Sequence, residues 1–105
     1  MNNYFIGSCI NRLTVVIPFL NEGEEIENTV KSIRETAGNN VDIIFINDCS
    51  SDGYDYWSVS IKYNTQYCVN EQRMGVAESR NIGVSIIETP YFILLDGHLR
   101  VYNDN

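Results

Sequence analysis

The sequence predicts an α/β protein, a Rossmann-like parallel sheet flanked by helices, in a single domain of 105 residues. Three observations predict it. LTVVIPF, VDIIFIND and YFILLD are apolar on both faces, as strands covered on two sides must be. Segments with helical spacing separate these runs. Hydrophobic residues make up 44% of the chain, enough for a core and too many for disorder by composition.

Residues 1–12 show no period and are expected to be a loose arm. Leu13 to Phe19 is β-branched and uninterrupted until Pro18, which predicts a buried strand. Asn21 is placed as the N-cap of the next helix, with Glu24 in the capping-box position. Glu22, Glu24 and Glu25 suit the positive end of that helix. Ile26, Val30, Ile33 and Ala37 recur at helical spacing until Gly38 stops it. VDIIFIND is the second strand, ending in the turn-forming CSSDG, whose Ser50, Ser51 and Asp52 are candidate caps for a helix over 54–64. QYCVN predicts a short third strand at 66–70. Gly75 to Glu88 predicts a helix with Val76, Ala77, Val84 and Ile87 on one side, closed by Pro90. YFILLD, 91–96, is expected to be the last buried strand.

The formal net charge is −7, from 14 acidic and 7 basic residues. An acidic surface repels phosphate backbones and anionic lipid, so nucleic acid is excluded as a partner. A nucleotide diphosphate would need a bound cation or backbone donors at its point of contact. The three cysteines form neither a CxxC motif nor a zinc framework, and read as small buried thiols of a reducing compartment. No apolar run reaches the length of a membrane span, and the first residues lack the features of a signal peptide. The expectation is a cytoplasmic protein, with any membrane association running through segments outside these residues.

In open parallel sheets, ligands bind beyond the carboxyl ends of the strands. Asp48 and Asp96 stand at such ends, and Asn21 and Glu22 lie just past the first. Asp96 and His98, two apart in an extended segment, point to the same side and offer an oxygen and an imidazole to one ion. Such a mixed pair suits Mn²⁺, and also Zn²⁺ or Fe²⁺. Asp-Gly is equally a common turn dipeptide. Asp48 is placed to accept hydrogen bonds from a ring N–H or ribose hydroxyls; a plain strand-to-helix loop would look the same. Gly75 allows close backbone approach or a turn. Arg80 is a candidate for a phosphate, for the acidic cluster, or for solvent. GxGxxG and GxxxxGK[ST] are absent.

TVVIPFLNE, INDCSSDG, RMGVAESRNIG and YFILLDGH, in this order and spacing, resemble the family 2 glycosyltransferases with the GT-A fold. The resemblance runs from residue 13 to 98 and implies a UDP-sugar-binding half with a divalent cation, Mn²⁺ or Mg²⁺. Pro18, Asn21 and Glu22 match the family's PxYNE, with Leu20 replacing the aromatic. Asp48 takes the place of the acid that contacts uracil, and Asn47 replaces its neighbour acid. Arg80, Asn81 and Gly83 match NxGxxxARNxG, while Arg73 and Ser79 depart from it. The family's DxD is here Asp96 and His98, which resembles the polypeptide N-acetylgalactosaminyltransferases; those retain configuration, whereas most family 2 members invert. The resemblance puts the acceptor half and its base after the metal triplet. The sequence stops seven residues past His98, so nucleotide binding is expected with little or no transfer. The alternative is an inactive module that binds nucleotide or self-associates as a homo-oligomer. A phosphoacceptor receiver is disfavoured: no acidic pair follows the first strand and no Lys follows the last.

Overall fold

Two runs that are apolar on both faces can only be satisfied at the centre of a covered sheet. The computed structural model, which describes residues 11–95 and Gly97, places them there. β1 (Leu13–Phe19) and β2 (Asp42–Asn47) are the inner strands, with β3 (Gln66–Val69) beside β2 and β4 (Tyr91–Leu94) beside β1. The order is β3-β2-β1-β4 and every pairing is parallel. The helices are α1 (Glu24–Ala37), α2 (Tyr56–Lys62) and α3 (Val76–Ser85).

The period-2 alternation of the strands sorts the core into two layers. Val15, Ile17, Phe19, Ile43 and Phe45 face α1 and α2, where Ile26, Val30, Ile33, Tyr56 and Val59 cover them. Val16, Ile44 and Ile46 face the other way, against Ile82 and Ile87. The chain therefore changes sides of the sheet between β3 and β4, and it also crosses over β2 and β1. That reversal opens a crevice at the carboxyl ends of the strands.

Pro18 sits in a central strand, where its missing N–H would normally break a ladder. The geometry shows which ladder it ends. Val16 accepts from Leu95 on the β4 side, and Phe19 accepts from Asp48 on the β2 side. Alternation turns the Pro18 main chain toward β4, whose last pairing is Val16 with Leu94. The ladder between β1 and β4 ends there, since Pro18 has no N–H to continue it past the bond from Leu95 to Val16.

Several local expectations are corrected. Asn21 is not the N-cap of α1. Gly23 is, at φ 56°, with no side-chain cap, and Asn21 itself takes a left-handed φ of 54°. Its side chain is occupied by the next loop, and Glu24, Glu25 and Glu27 supply the charge that the helix end favours. α2 is capped by Asp55, which accepts from the Ser58 N–H at 3.1 Å, and not by Ser50, Ser51 or Asp52. α3 ends at Ser85, short of Glu88, and buries Ser79 and Gly83, while Val76 and Val84 are exposed. Small residues win that face because the helix lies directly on the sheet; a Cβ on Gly83 would sit 2.4 Å from Val16 Cγ1. β4 is exposed, not buried, from Tyr91 at 61% to Leu94 at 39%. It lies at a sheet edge, and α3 packs on β1 and β2 instead. Of the arm expected over 1–12, residues 1–10 lie outside the described residues; Asn11 is tied down through bonds of 3.0 and 2.9 Å to Asn39 and Asp42.

Candidate functional site

The carboxyl ends of β1 and β2 are in register, Phe19 beside Asn47, so their outgoing loops start at one level. Polar side chains then stitch the loops together. The Asn21 N–H donates to Ser50 Oγ at 2.9 Å, and the Ser51 N–H donates to Asn21 Oδ1 at 2.7 Å. Asn47 Oδ1 accepts from the Ser50 N–H at 2.9 Å, and its Nδ2 donates to the Tyr67 hydroxyl. Cys49 takes a left-handed φ of 62°, which a Cβ disfavours, and this bonding holds it there.

Below that layer, the Tyr56 hydroxyl accepts from the Gly23 N–H at 2.7 Å and donates to Asp52 Oδ2. One buried ring thus joins the start of α1 to the loop after β2. Tyr56 is pushed up to about 12, by burial first and by the Asp52 bond next. The same bond holds the Asp52 carboxyl below the usual range, outweighing its burial.

Asp48 is only 6% exposed. Its Oδ1 accepts from Asn70 Nδ2 at 2.9 Å and from the Met74 N–H at 2.8 Å, and its Oδ2 accepts from the Gly75 N–H at 3.0 Å. Burial alone would push this carboxyl up. The bonds from Asn70, Met74 and Gly75 and the nearby charge of Arg73 outweigh it, so the group stays below the ordinary carboxylate range and ionised. Oδ1 is saturated by two donors, whereas Oδ2 carries one and keeps room for another.

These elements enclose a cleft of about 300 Å³, lined among others by Pro18, Leu20, Glu22, Asp48, Val76 and Ser79. Gly75 and Gly97 complete its wall. The lining combines apolar Pro18, Phe19, Leu20 and Val76 with the carboxylates of Glu22 and Asp48, a combination suited to a flat ring with polar edges. A second hollow, at the opposite end of the sheet, is lined by Arg34, whose guanidinium is spent on the carbonyls of Gly38, Val41, Tyr63 and Asn64.

Of the residues singled out in the sequence, Pro18, Glu22, Asp48 and Gly75 meet at this cleft. Asn21 stands behind it as a brace between loops. Arg80 is exposed on α3 and is not part of the lining. Asp96 and His98 lie outside the described residues. Gly97, between them, is placed: Thr29 Oγ1 donates to its carbonyl at 2.7 Å, and a Cβ there would come within 2.8 Å of Phe19 Cβ and 3.2 Å of Glu22 Cγ. That contact pins the backbone of Gly97 to the cleft. Among the described residues, no three His, Cys, Asp or Glu side chains converge as a metal cage. Asn70, Tyr56 and Thr29 were not singled out in the sequence, and Asp52 was read there only as a candidate helix cap. The one signal was a polar residue closing a strand, as Asn70 does at the end of VN.

Residues 14–105 match the model of the family described as glycosyl transferase family 2. A teichoic acid poly(glycerol phosphate) polymerase of Staphylococcus epidermidis is 31% identical over 91 residues, which cover 83% of this chain and 13% of that protein. The mannosyltransferase PcManGT of Pyrobaculum calidifontis, solved with GDP-Man and Mn²⁺, superposes with a TM-score of 0.72 at 20% identity, over 83% of this chain and 27% of its own. S. aureus TarS 1-349, solved with UDP, gives 0.70 at 20% identity over the same shares. The structural likenesses establish the fold. The chain spans a small part of the length of these relatives.

Proposed function

This chain belongs to glycosyl transferase family 2, and on that premise we propose that it is a single nucleotide-sugar-binding domain, taking a UDP-sugar together with a divalent cation, Mn²⁺ or Mg²⁺. The observation that carries the reading is the cleft at the strand ends, where an ionised, buried Asp48 faces apolar walls. Asp48 Oδ2 has the spare capacity to accept a ring N–H, and Glu22 stands on the same wall for hydroxyl donors. Pro18, Leu20 and Val76 offer the faces of the ring a dry surface. Asn21 keeps the two loops in place, Gly75 brings backbone to the edge, and Arg80, outside the lining, is left to the diphosphate.

Asp96 and His98 would hold the cation through a carboxylate oxygen and a neutral imidazole nitrogen. The anchoring of Gly97, the residue between them, by Thr29 and Phe19 supports this, because Gly97 lines the cleft that the base would occupy. A cation there supplies positive charge to the departing diphosphate, which an acidic protein otherwise repels. Two protein donors leave coordination positions for phosphate oxygens. Sugar transfer to an acceptor glycan, lipid or protein belongs to the proposal for the whole protein.

Two relatives in structure were solved with Mn²⁺ and GDP-Man, or with UDP, which supports testing those ligands here. Calorimetry of the folded chain with UDP should give heat that depends on Mn²⁺. A folded sample that binds no UDP, with or without the metal, overturns the reading.

A second reading, an assembly module, has one observation in its favour. Tyr91, Phe92, Ile93 and Leu94 expose apolar side chains along an edge strand, and such strands template association.

A further inference from the structure

Asp48 does not choose its own direction. Asn70 is nine-tenths buried, and its main-chain N–H is already committed to the Asn47 carbonyl at 2.9 Å. Its side-chain amide spends one hydrogen on Asp48 Oδ1 at 2.9 Å and the other on Ser79 Oγ at 3.1 Å. Ser79 is 1% exposed and sits on the buried face of α3. Three polar groups, from just past β2, just past β3 and α3, therefore form one buried chain, and the carboxylate is its last member. With Oδ1 filled by Asn70 and Met74, the remaining acceptor capacity falls on Oδ2.

We infer that Asn70 and Ser79 are positioning residues that set base selectivity, by holding Asp48 so that its spare acceptor is offered to the cleft. The inference rests on the nucleotide-binding reading above. A pyrimidine that presents a ring N–H is accepted by that oxygen. One that presents a bare ring nitrogen sets lone pair against lone pair and is rejected, because a buried acceptor without a donor is costly. Without the Ser79 hydroxyl, one Asn70 hydrogen has no acceptor in a buried site, so the amide turns and the carboxylate follows. In a network of this kind the effect of one member passes to the next.

The test is calorimetry of the full chain with UDP and with CDP in the presence of Mn²⁺, for wild type, Ser79→Ala and Asn70→Ala, with thermal melts alongside. The wild type should prefer UDP. Ser79→Ala should cut that preference several-fold and Asn70→Ala about tenfold, the scale of one hydrogen bond to a charged group. The loss should fall on UDP, with CDP little changed. A folded variant that keeps the wild-type UDP-to-CDP ratio overturns the inference, as does a wild type that binds both equally. A folded wild type that binds neither defeats the nucleotide-binding reading itself, and the inference with it. Should Asn70→Ala not fold, Ser79→Ala decides, since it removes only a hydroxyl.

Discussion

Asp48 Oδ2 holds the backbone N–H of Gly75 at 3.0 Å, across 27 residues of chain. The bond joins the end of β2 to the residue that caps α3. Any donor that enters the cleft and reaches Oδ2 therefore touches the loop that positions α3.

Asp48→Asn should destabilise the fold by about 1–3 kcal/mol, because an amide presents N–H₂ where the native carboxylate accepts from three donors. Urea unfolding measures it. A midpoint equal to wild type would mean that these bonds contribute nothing.

Acid should unfold the chain through the same groups. Asp48 and Asp52 both lie below the ordinary carboxylate range when folded. As pH falls, the unfolded chain takes up their protons first, near its usual value of about 3.9. The stability they contribute is complete above that pH and disappears as pH drops through their lower folded values. Urea midpoints from pH 6 to pH 2 should trace this loss, and Asp48→Asn should flatten it.

Gly83→Ala should cost about 1–3 kcal/mol by overpacking, since its Cβ would lie 2.4 Å from Val16 Cγ1. Asn81→Ala, two residues earlier at an exposed position of the same helix, should be neutral or slightly stabilising. Equal melting temperatures for the two variants would contradict the placement of α3.

Tyr56→Phe keeps the ring among Phe19 and Tyr54 but removes the hydroxyl between Gly23 and Asp52. A loss of about 1 kcal/mol is expected, from the part-buried Gly23 N–H that loses its acceptor; the exposed Asp52 carboxylate keeps water and the Tyr54 N–H. Hydrogen exchange at the Gly23 amide should accelerate. Unchanged protection there would rule out the bond.

Ile93→Lys puts a charge in the middle of the exposed edge strand, where Ile93 is 44% exposed. If β4 drives self-association, light scattering should show an oligomer for wild type and a smaller species for the variant, because edge charges block strand pairing. A monomeric wild type at high concentration removes the assembly reading.

The layers of this fold were legible because β1 and β2 are continuous apolar runs, as strands covered on both faces must be, and α1 carries Ile26, Val30 and Ile33 at helical spacing. Those signals are local. YFILLD looked the same as its neighbours, yet β4 is exposed, because burial depends on what lies alongside and the sequence of a strand does not say. α3 misled in the opposite way. Its larger residues suggested one face, and the sheet selected Ser79 and Gly83 because only small groups fit there.

By itself the sequence determined the order of strands and helices, and the placement of Asp48, Pro18 and Glu22 just at or beyond strand ends, since both follow from short-range periodicity and turn chemistry. Tertiary structure alone decided that Asn70 and Ser79 would meet Asp48, that Tyr56 would bridge Gly23 and Asp52, and that Asn21 would brace a loop instead of capping a helix. Those contacts join residues far apart in the chain, and they exist only because a parallel sheet brings the ends of its strands to one rim.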